Sequence, residues 1–155
     1  MGLFKKNKKT TNKKAERASI KPINYPPKIL VAWGEAISGN SKILDWLMKN
    51  GYPELGIFCH ALKNDVKGKD WLMNNGYPHL NAMISAGEGD EIALKWLKQF
   101  NFDLLQYMGL AIDGHEGAKK WLREYDMLYA TLAFKMEEVK NHIEMRNNDP
   151  HTLNI

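Results

Sequence analysis

The sequence contains a single cysteine, Cys59. One thiol cannot form a disulfide within the chain, and it cannot supply a cysteine-rich metal site. Long hydrophobic runs are also missing, because no apolar stretch approaches the roughly 18–20 residues that cross a bilayer. The basic N-terminal residues are not followed by the apolar segment of a secretory signal. These absences argue against the disulfide-rich, membrane-spanning and secreted classes, and we expect a cytoplasmic protein.

Residue patterns for catalysis are missing as well. The glycine-rich stretch at 87–89 follows no predicted strand, so we do not expect a nucleotide-binding loop there. His142 lies one helical turn after Glu138, which is more typical of a surface pair than of a metal site. Cys59 and His60 are neighbours, and neighbours on a helix point about 100° apart, so they do not form a catalytic dyad. We therefore expect no enzyme activity, no cofactor, no bound metal and no small-molecule substrate.

Positive charge is concentrated at the N-terminal end. Residues 1–22 carry eight Lys or Arg and one Glu, whereas the remainder carries 14 Lys or Arg against 17 Asp or Glu. We expect residues 1–24 to form a disordered tail, because their few apolar side chains gain too little burial to offset chain entropy. Such a tail can bind nucleic acid or an anionic membrane, or it can simply be a solubilising extension. The lysines available for anion binding are Lys5, Lys6, Lys8, Lys9, Lys13 and Lys14.

A repeat dominates the rest of the sequence. Four tryptophans lie 25 residues apart, and each is followed by a leucine: Trp46-Leu47, Trp71-Leu72, Trp96-Leu97 and Trp121-Leu122. An even spacing of large apolar residues is typical of repeat arrays. In register, the units cover residues 32–56, 57–81, 82–106 and 107–131. Because the Trp-Leu pairs recur at helical spacing beside other apolar residues, we expect both side chains to lie in the core.

Each unit predicts two short helices joined by a tight turn. In the first unit the small Ala36 indicates a close approach between backbones, and Gly39 tolerates the left-handed conformation that ends a helix. Asn40 follows as a strong N-cap for the second helix. That helix ends at Gly51, and Pro53 suits the first turn of the next one. Because the links are short, successive helices run antiparallel, and we predict an all-α fold: an α-solenoid of four antiparallel helical hairpins.

The two ends of the array are modified. A pair of prolines introduces a first helix over residues 28–38. In the last helix, over residues 127–146, Met136 replaces the small alanine and no turn signal follows. This helix therefore continues with a polar outer side as a C-terminal cap. The predicted bounds are 25–146 for the repeat domain and 147–155 for a flexible C-terminus.

The order of these residues resembles the helical half of an ankyrin repeat. In the first unit the matching residues are Ala36, Gly39, Asn40, Ile43, Leu44, Trp46, Leu47 and Gly51. An ankyrin repeat has 33 residues, whereas this one has 25, and the shortfall lies where an ankyrin repeat places its β-hairpin finger. The Thr-Pro-Leu-His element of that family is absent too. The resemblance implies a protein-binding scaffold rather than an enzyme.

The outward positions of the first helices are the candidate working surface, because in a curved solenoid they line the concave face. They are Glu35, His60, Lys63, Ser85, Glu88, Leu110 and Asp113. The row is mixed in charge and lacks the basic stripe of nucleic-acid-binding helical repeats. The leading hypothesis is a non-enzymatic scaffold that binds an unidentified protein through this face. The alternatives are nucleic-acid or anionic-membrane binding by the tail, and end-to-end self-association.

Overall fold

The computed structural model describes residues 20–148, and within that range the chain forms nine α-helices and no β-strand. The helices are α1 (Pro27–Ile37), α2 (Ser41–Lys49), α3 (Pro53–Leu62), α4 (Val66–Asn74), α5 (Pro78–Gly87), α6 (Glu91–Gln99), α7 (Asp103–Ile112), α8 (Glu116–Tyr125) and α9 (Met127–Asn147). Each helix packs against the next one along the chain. The predicted all-α solenoid is confirmed, with four hairpins and a ninth helix where the cap is expected.

The turns within the hairpins use the chemistry that the sequence indicates. Gly39 follows α1 with a φ of +105°, and the Asn40 side chain accepts a hydrogen bond from a backbone amide in the first turn of α2. Asn64 replaces the glycine in the second unit with a φ of +68°, a conformation that asparagine tolerates. The link into α9 differs, because Asp126 has extended backbone and caps α9 through its side chain. A single residue therefore separates α8 from α9.

The leucines of the four Trp-Leu pairs form the centre of the core, and the tryptophans lie at its margin. The fully buried leucines are Leu47, Leu72, Leu97 and Leu122. Trp46 is 44% exposed, and the other three tryptophans are half-buried against the core. The prediction that both residues of each Trp-Leu pair lie in the core is therefore right for the leucines and wrong for Trp46. Adjacent residues on a helix point about 100° apart, so the tryptophan turns towards the edge when its leucine faces the core.

Close backbone approach explains the small residues of the first helices. The alanines at the repeated position are all buried: Ala36, Ala61, Ala86 and Ala111. Between α5 and α7, a Cβ placed on Gly109 would lie 2.8 Å from the Cβ of Ala86. A larger residue at either position would push the two helices apart. The predicted close approach is confirmed at this crossing.

The ninth helix joins the two ends of the array. It packs against α7 and α8, as expected of a cap, and also against α1 and α3. On α9, Lys135 Nζ lies 3.5 Å from Glu35 Oε1 of α1, and Lys140 Nζ lies 3.2 Å from Asp113 Oδ1 just after α7. Met136, between these lysines, is fully buried. The first-helix face is therefore not the open concave surface that the sequence predicts, because α9 lies against it.

Candidate functional site

Three of the seven predicted partner-binding residues form ion pairs within the array. Glu35 and Asp113 pair with the lysines of α9 described above. Glu88 Oε1 lies 3.8 Å from Lys69 Nζ of α4. All three carboxylates belong to exposed residues, so the pairs are screened by water and each contributes little to stability. They nevertheless leave these side chains less available to a partner than the sequence suggests.

The other four predicted residues differ in accessibility. Ser85 and Leu110 are half-buried, whereas His60 and Lys63 are exposed. The predicted row of exposed residues is therefore interrupted at Ser85 and Leu110. His60 and Lys63 lie on the second hairpin, around the end of α3, and Lys63 also lines a surface cleft.

That cleft has a volume of about 460 Å³ and lies between the C-terminal end of α1 and the C-terminal half of α9. The apolar residues that line it are Ile37, Val139 and Ile143. The charged residues that line it are Lys63, Lys135, Arg146 and Glu138, with His142 beside them. Positive charge exceeds negative charge in this lining. The cleft therefore places a small apolar surface beside basic groups.

A second feature is an extended segment, residues 20–26, which we call the strap. The backbone amide of Lys21 donates a hydrogen bond to the Gly76 carbonyl oxygen at 2.8 Å. The Lys21 carbonyl oxygen lies 2.8 Å from His79 Nε2, and the Lys21 ammonium lies 5.5 Å from the centre of the Tyr77 ring. The predicted tail reaches residue 24, but its last five residues lie against the repeats. The strap crosses the array where each second helix ends and the next first helix begins.

Tyr25 attaches the other end of the strap. Its hydroxyl donates a hydrogen bond of 2.7 Å to Glu54 Oε1, and its ring packs edge-on against Tyr52 with centroids 5.9 Å apart. Glu54 is only 4% exposed. Burial, followed by the hydrogen bond to this carboxylate, raises the pKa of Tyr25 far above its ordinary value. Burial and Glu54 also raise the pKa of Tyr77. The phenols therefore stay protonated and remain hydrogen-bond donors.

His79 holds the middle of the strap. It is 1% exposed, and burial lowers its pKa to about 4, although the hydrogen bond with the Lys21 carbonyl opposes the shift. The imidazole is therefore neutral at pH 7, and Nε2 carries the proton that it donates to Lys21. Its Nδ1 is buried without a hydrogen-bond partner. Protonation of Nδ1 would place an unpaired charge in the interior.

Glu54 and His79 stand 25 residues apart, at the same position of successive units, and they are the only buried polar or charged residues in the part of the chain that the structure describes. The equivalent residue of the next unit is Leu104. Sequence reasoning missed both sites. One sequence signal could have indicated these sites. A polar residue follows both Pro53 and Pro78, whereas the third repeat has leucine at the equivalent position.

The strap lies on a row of stacked rings, which we call the aromatic edge. In the first three units the tryptophan stacks on the aromatic residue that follows its helix, with centroid distances of 6.4, 6.2 and 5.8 Å. The pairs are Trp46–Tyr52, Trp71–Tyr77 and Trp96–Phe102. In the fourth unit Trp121 stacks between Tyr107, at 3.9 Å, and Tyr125, at 4.9 Å. Exposure varies along this row, from 8% for Tyr77 to 57% for Tyr125, and partly exposed aromatic rings are common at binding surfaces.

Cys59, the single thiol, is not activated as a nucleophile. Cys59 is buried, and burial raises the pKa of its thiol to about 12, so little thiolate forms at neutral pH. Its Sγ donates a weak hydrogen bond to the Leu55 carbonyl oxygen at 3.4 Å. Among residues 20–148, no three His, Cys, Asp or Glu residues come together as metal ligands. No helix in the same range is long and apolar enough to cross a membrane.

The six lysines predicted to bind anions, Lys5 to Lys14, lie outside the described residues. No known protein family, curated protein or solved structure matches the chain. The ankyrin resemblance therefore rests on residue spacing, and the structure establishes the coarser description, an array of helical hairpins.

Proposed function

We propose that this protein is a non-enzymatic protein-interaction module that binds an acidic, amphipathic segment of a partner in the cleft between α1 and α9. The cleft is the observation that carries the proposal. It offers apolar surface from the half-buried Val139 and Ile143 beside the positive charges of Lys63 and Arg146. An amphipathic helix buries its apolar side in such a groove, while basic groups steer acidic residues towards it.

Two further features support this function. The cleft includes Lys63, an exposed residue of the predicted first-helix face. The spacing of small, turn and core residues resembles that of ankyrin arrays, and those arrays bind proteins. We therefore propose that the protein binds its partner as ankyrin arrays do, through a surface presented by a regular helical scaffold. Helix α9 forms one side of the binding cleft.

Charge reversal in the cleft tests the proposal. The full-length wild type and the double variant Lys63→Glu/Arg146→Glu are compared in a quantitative pull-down from a homologous lysate, read by mass spectrometry. The matched control is Lys49→Glu/Lys95→Glu, which reverses two exposed residues on the outer helices α2 and α6. We expect the cleft variant to lose a discrete protein by about tenfold or more, which corresponds to about 1.4 kcal/mol, and the control to retain it.

Equal retention by all three proteins would contradict the cleft as the binding site. A different outcome would favour the basic tail: capture of nucleic acid or anionic vesicles that weakens steeply with salt. In that case, replacing the six tail lysines with glutamine would abolish capture, and the cleft variant would behave as the wild type.

A further inference from the structure

We propose that the aromatic edge beneath the strap is a second binding site, which takes an extended, tyrosine-containing segment of a partner protein, and that the strap occupies this site as an intramolecular substitute. The partner's tyrosine would replace Tyr25 at Glu54, and the backbone of the residue four positions earlier would replace Lys21. This inference concerns a different surface from the cleft and does not depend on it.

The first argument is that the array binds the strap through its backbone. Both peptide groups of Lys21 are used, the amide by Gly76 and the carbonyl by His79, each at 2.8 Å. Hydrogen bonds of this kind do not depend on the side chain, so another extended chain can make them equally well. The Lys21 side chain adds a cation–π contact with Tyr77, which favours a basic residue at this position.

The second argument is that Glu54 selects for a hydroxyl donor. Its carboxylate is buried, and Tyr25 Oη donates to it at 2.7 Å. A segment with phenylalanine at that position would leave one oxygen of a buried carboxylate without this donor, which is costly. Among the described residues, Glu54 and His79 are the buried polar or charged ones, and both bond to the strap. The interior of the array therefore carries its polar groups where an extended chain is recognised.

The third argument is that the strap can open while the helices stay folded. None of its residues is fully buried, and Lys21, Pro22, Asn24 and Pro26 are exposed, although Ile23 and Tyr25 pack against the core. A segment with fewer buried contacts than the helices opens at a lower free energy than they do. Glu54 and His79, which the strap covers, are buried while it is in place. A partner segment can therefore displace the strap without unfolding a helix.

The fourth argument is that the row of binding positions continues past the strap. Ile20 and Pro22 line a small cleft with Phe100 and Phe102, at the junction of α6 and α7. The equivalent residues of the next unit, 25 positions on, are Tyr125 and Met127, and both are 57% exposed. A partner segment that extends past the position of Ile20 would reach this fourth position.

The test uses full-length protein and a fluorescent peptide with the sequence of residues 20–27, Ile-Lys-Pro-Ile-Asn-Tyr-Pro-Pro, measured by fluorescence anisotropy. Tyr25→Phe weakens the strap but leaves the site intact, and Asn24→Ala is the matched control, because Asn24 is an exposed strap residue. The cost of losing one hydrogen bond to a charged group is about tenfold. Since a competing closed state lowers apparent affinity, we expect Tyr25→Phe to bind the peptide up to about tenfold more tightly than the wild type or Asn24→Ala.

A second measurement locates the bound peptide. Hydrogen exchange at the Lys21 amide should accelerate when the peptide binds, because that amide loses its bond to Gly76. A peptide with phenylalanine in place of tyrosine should bind about tenfold more weakly, for the same reason as above. Circular dichroism confirms that each variant folds.

Three outcomes would overturn the proposal. The peptide could bind Tyr25→Phe no better than the wild type, or it could bind without changing exchange at Lys21. Finally, Tyr25→Phe could form a dimer that grows with protein concentration and is broken by the peptide. That last outcome would make the strap of a second copy the occupant of the site in place of a partner protein.

Discussion

Glu54 and His79 occupy the same position in successive repeats, and each forms a hydrogen bond with the strap. The Glu54 carboxylate accepts from the Tyr25 hydroxyl at 2.7 Å, and His79 Nε2 bonds to the Lys21 carbonyl at 2.8 Å. Lys21 and Tyr25 are four residues apart, and an extended chain covers at most about 14 Å over that distance. Four residues of extended chain therefore span one repeat step. The strap, a segment outside the repeats, thus places equivalent contacts on two successive units.

His79 makes stability depend on pH in a defined direction. Its pKa is about 4 in the folded protein, against 6.5 for an unperturbed histidine. Between these values the unfolded chain binds more protons, so stability falls as the pH is lowered from about 6.5 to about 4. At 1.36 kcal/mol per unit of pKa, the loss attributable to His79 is up to about 3 kcal/mol.

His79→Leu tests this pH dependence, because leucine is the natural residue at the equivalent position 104. We expect the difference in unfolding free energy between pH 7 and pH 4.5 to be smaller in the variant than in the wild type. Urea denaturation at the two pH values measures it. An equal difference in both proteins would show that other groups account for the pH dependence.

Replacing the leucine or the tryptophan of a Trp-Leu pair with alanine should lower the free energy of unfolding by different amounts. Leu72 is fully buried, so Leu72→Ala should cost about 2–5 kcal/mol through lost burial and a residual cavity. Trp46 is 44% exposed and stacks on Tyr52, so Trp46→Ala should cost less, about 1–3 kcal/mol from its partial burial and the stack. Chemical denaturation of the two variants gives the comparison. A larger loss for Trp46→Ala than for Leu72→Ala would contradict the assignment of the leucines to the core.

Two helical glycines should respond in opposite ways to alanine. At Gly109 the new methyl group would lie 2.8 Å from the Ala86 Cβ on a neighbouring helix, and overpacking of this kind costs about 1–3 kcal/mol. At Gly56 it would meet the flexible end of Met48, which is 37% exposed and can move aside. There the higher helix propensity of alanine should leave the protein unchanged or stabilise it by up to about 1 kcal/mol. Melting temperatures of Gly109→Ala and Gly56→Ala check the contrast, which would be refuted by equal shifts.

The sequence by itself determined the repeat, the hairpins and the leucine core. These features depend on contacts within about four residues along the chain, such as the Asn40 cap of α2, or on a pattern that recurs every 25 residues. Local chemistry of this kind is readable because backbone conformation and capping are decided by neighbours. The same reasoning placed the candidate face on the first helices, but it could not show that α9 would lie against that face.

Only the tertiary structure decided which surfaces are covered. Lys135 reaches the Gly34 carbonyl across 101 residues of sequence, and His79 reaches Lys21 across 58. Neither contact belongs to the 25-residue period, because Lys135 and the strap lie outside the four repeats. These contacts join residues far apart in the sequence, which a local pattern does not encode. Trp46 and its equivalents have a periodicity that predicts a core, but they form an aromatic edge because their leucine neighbours face the interior.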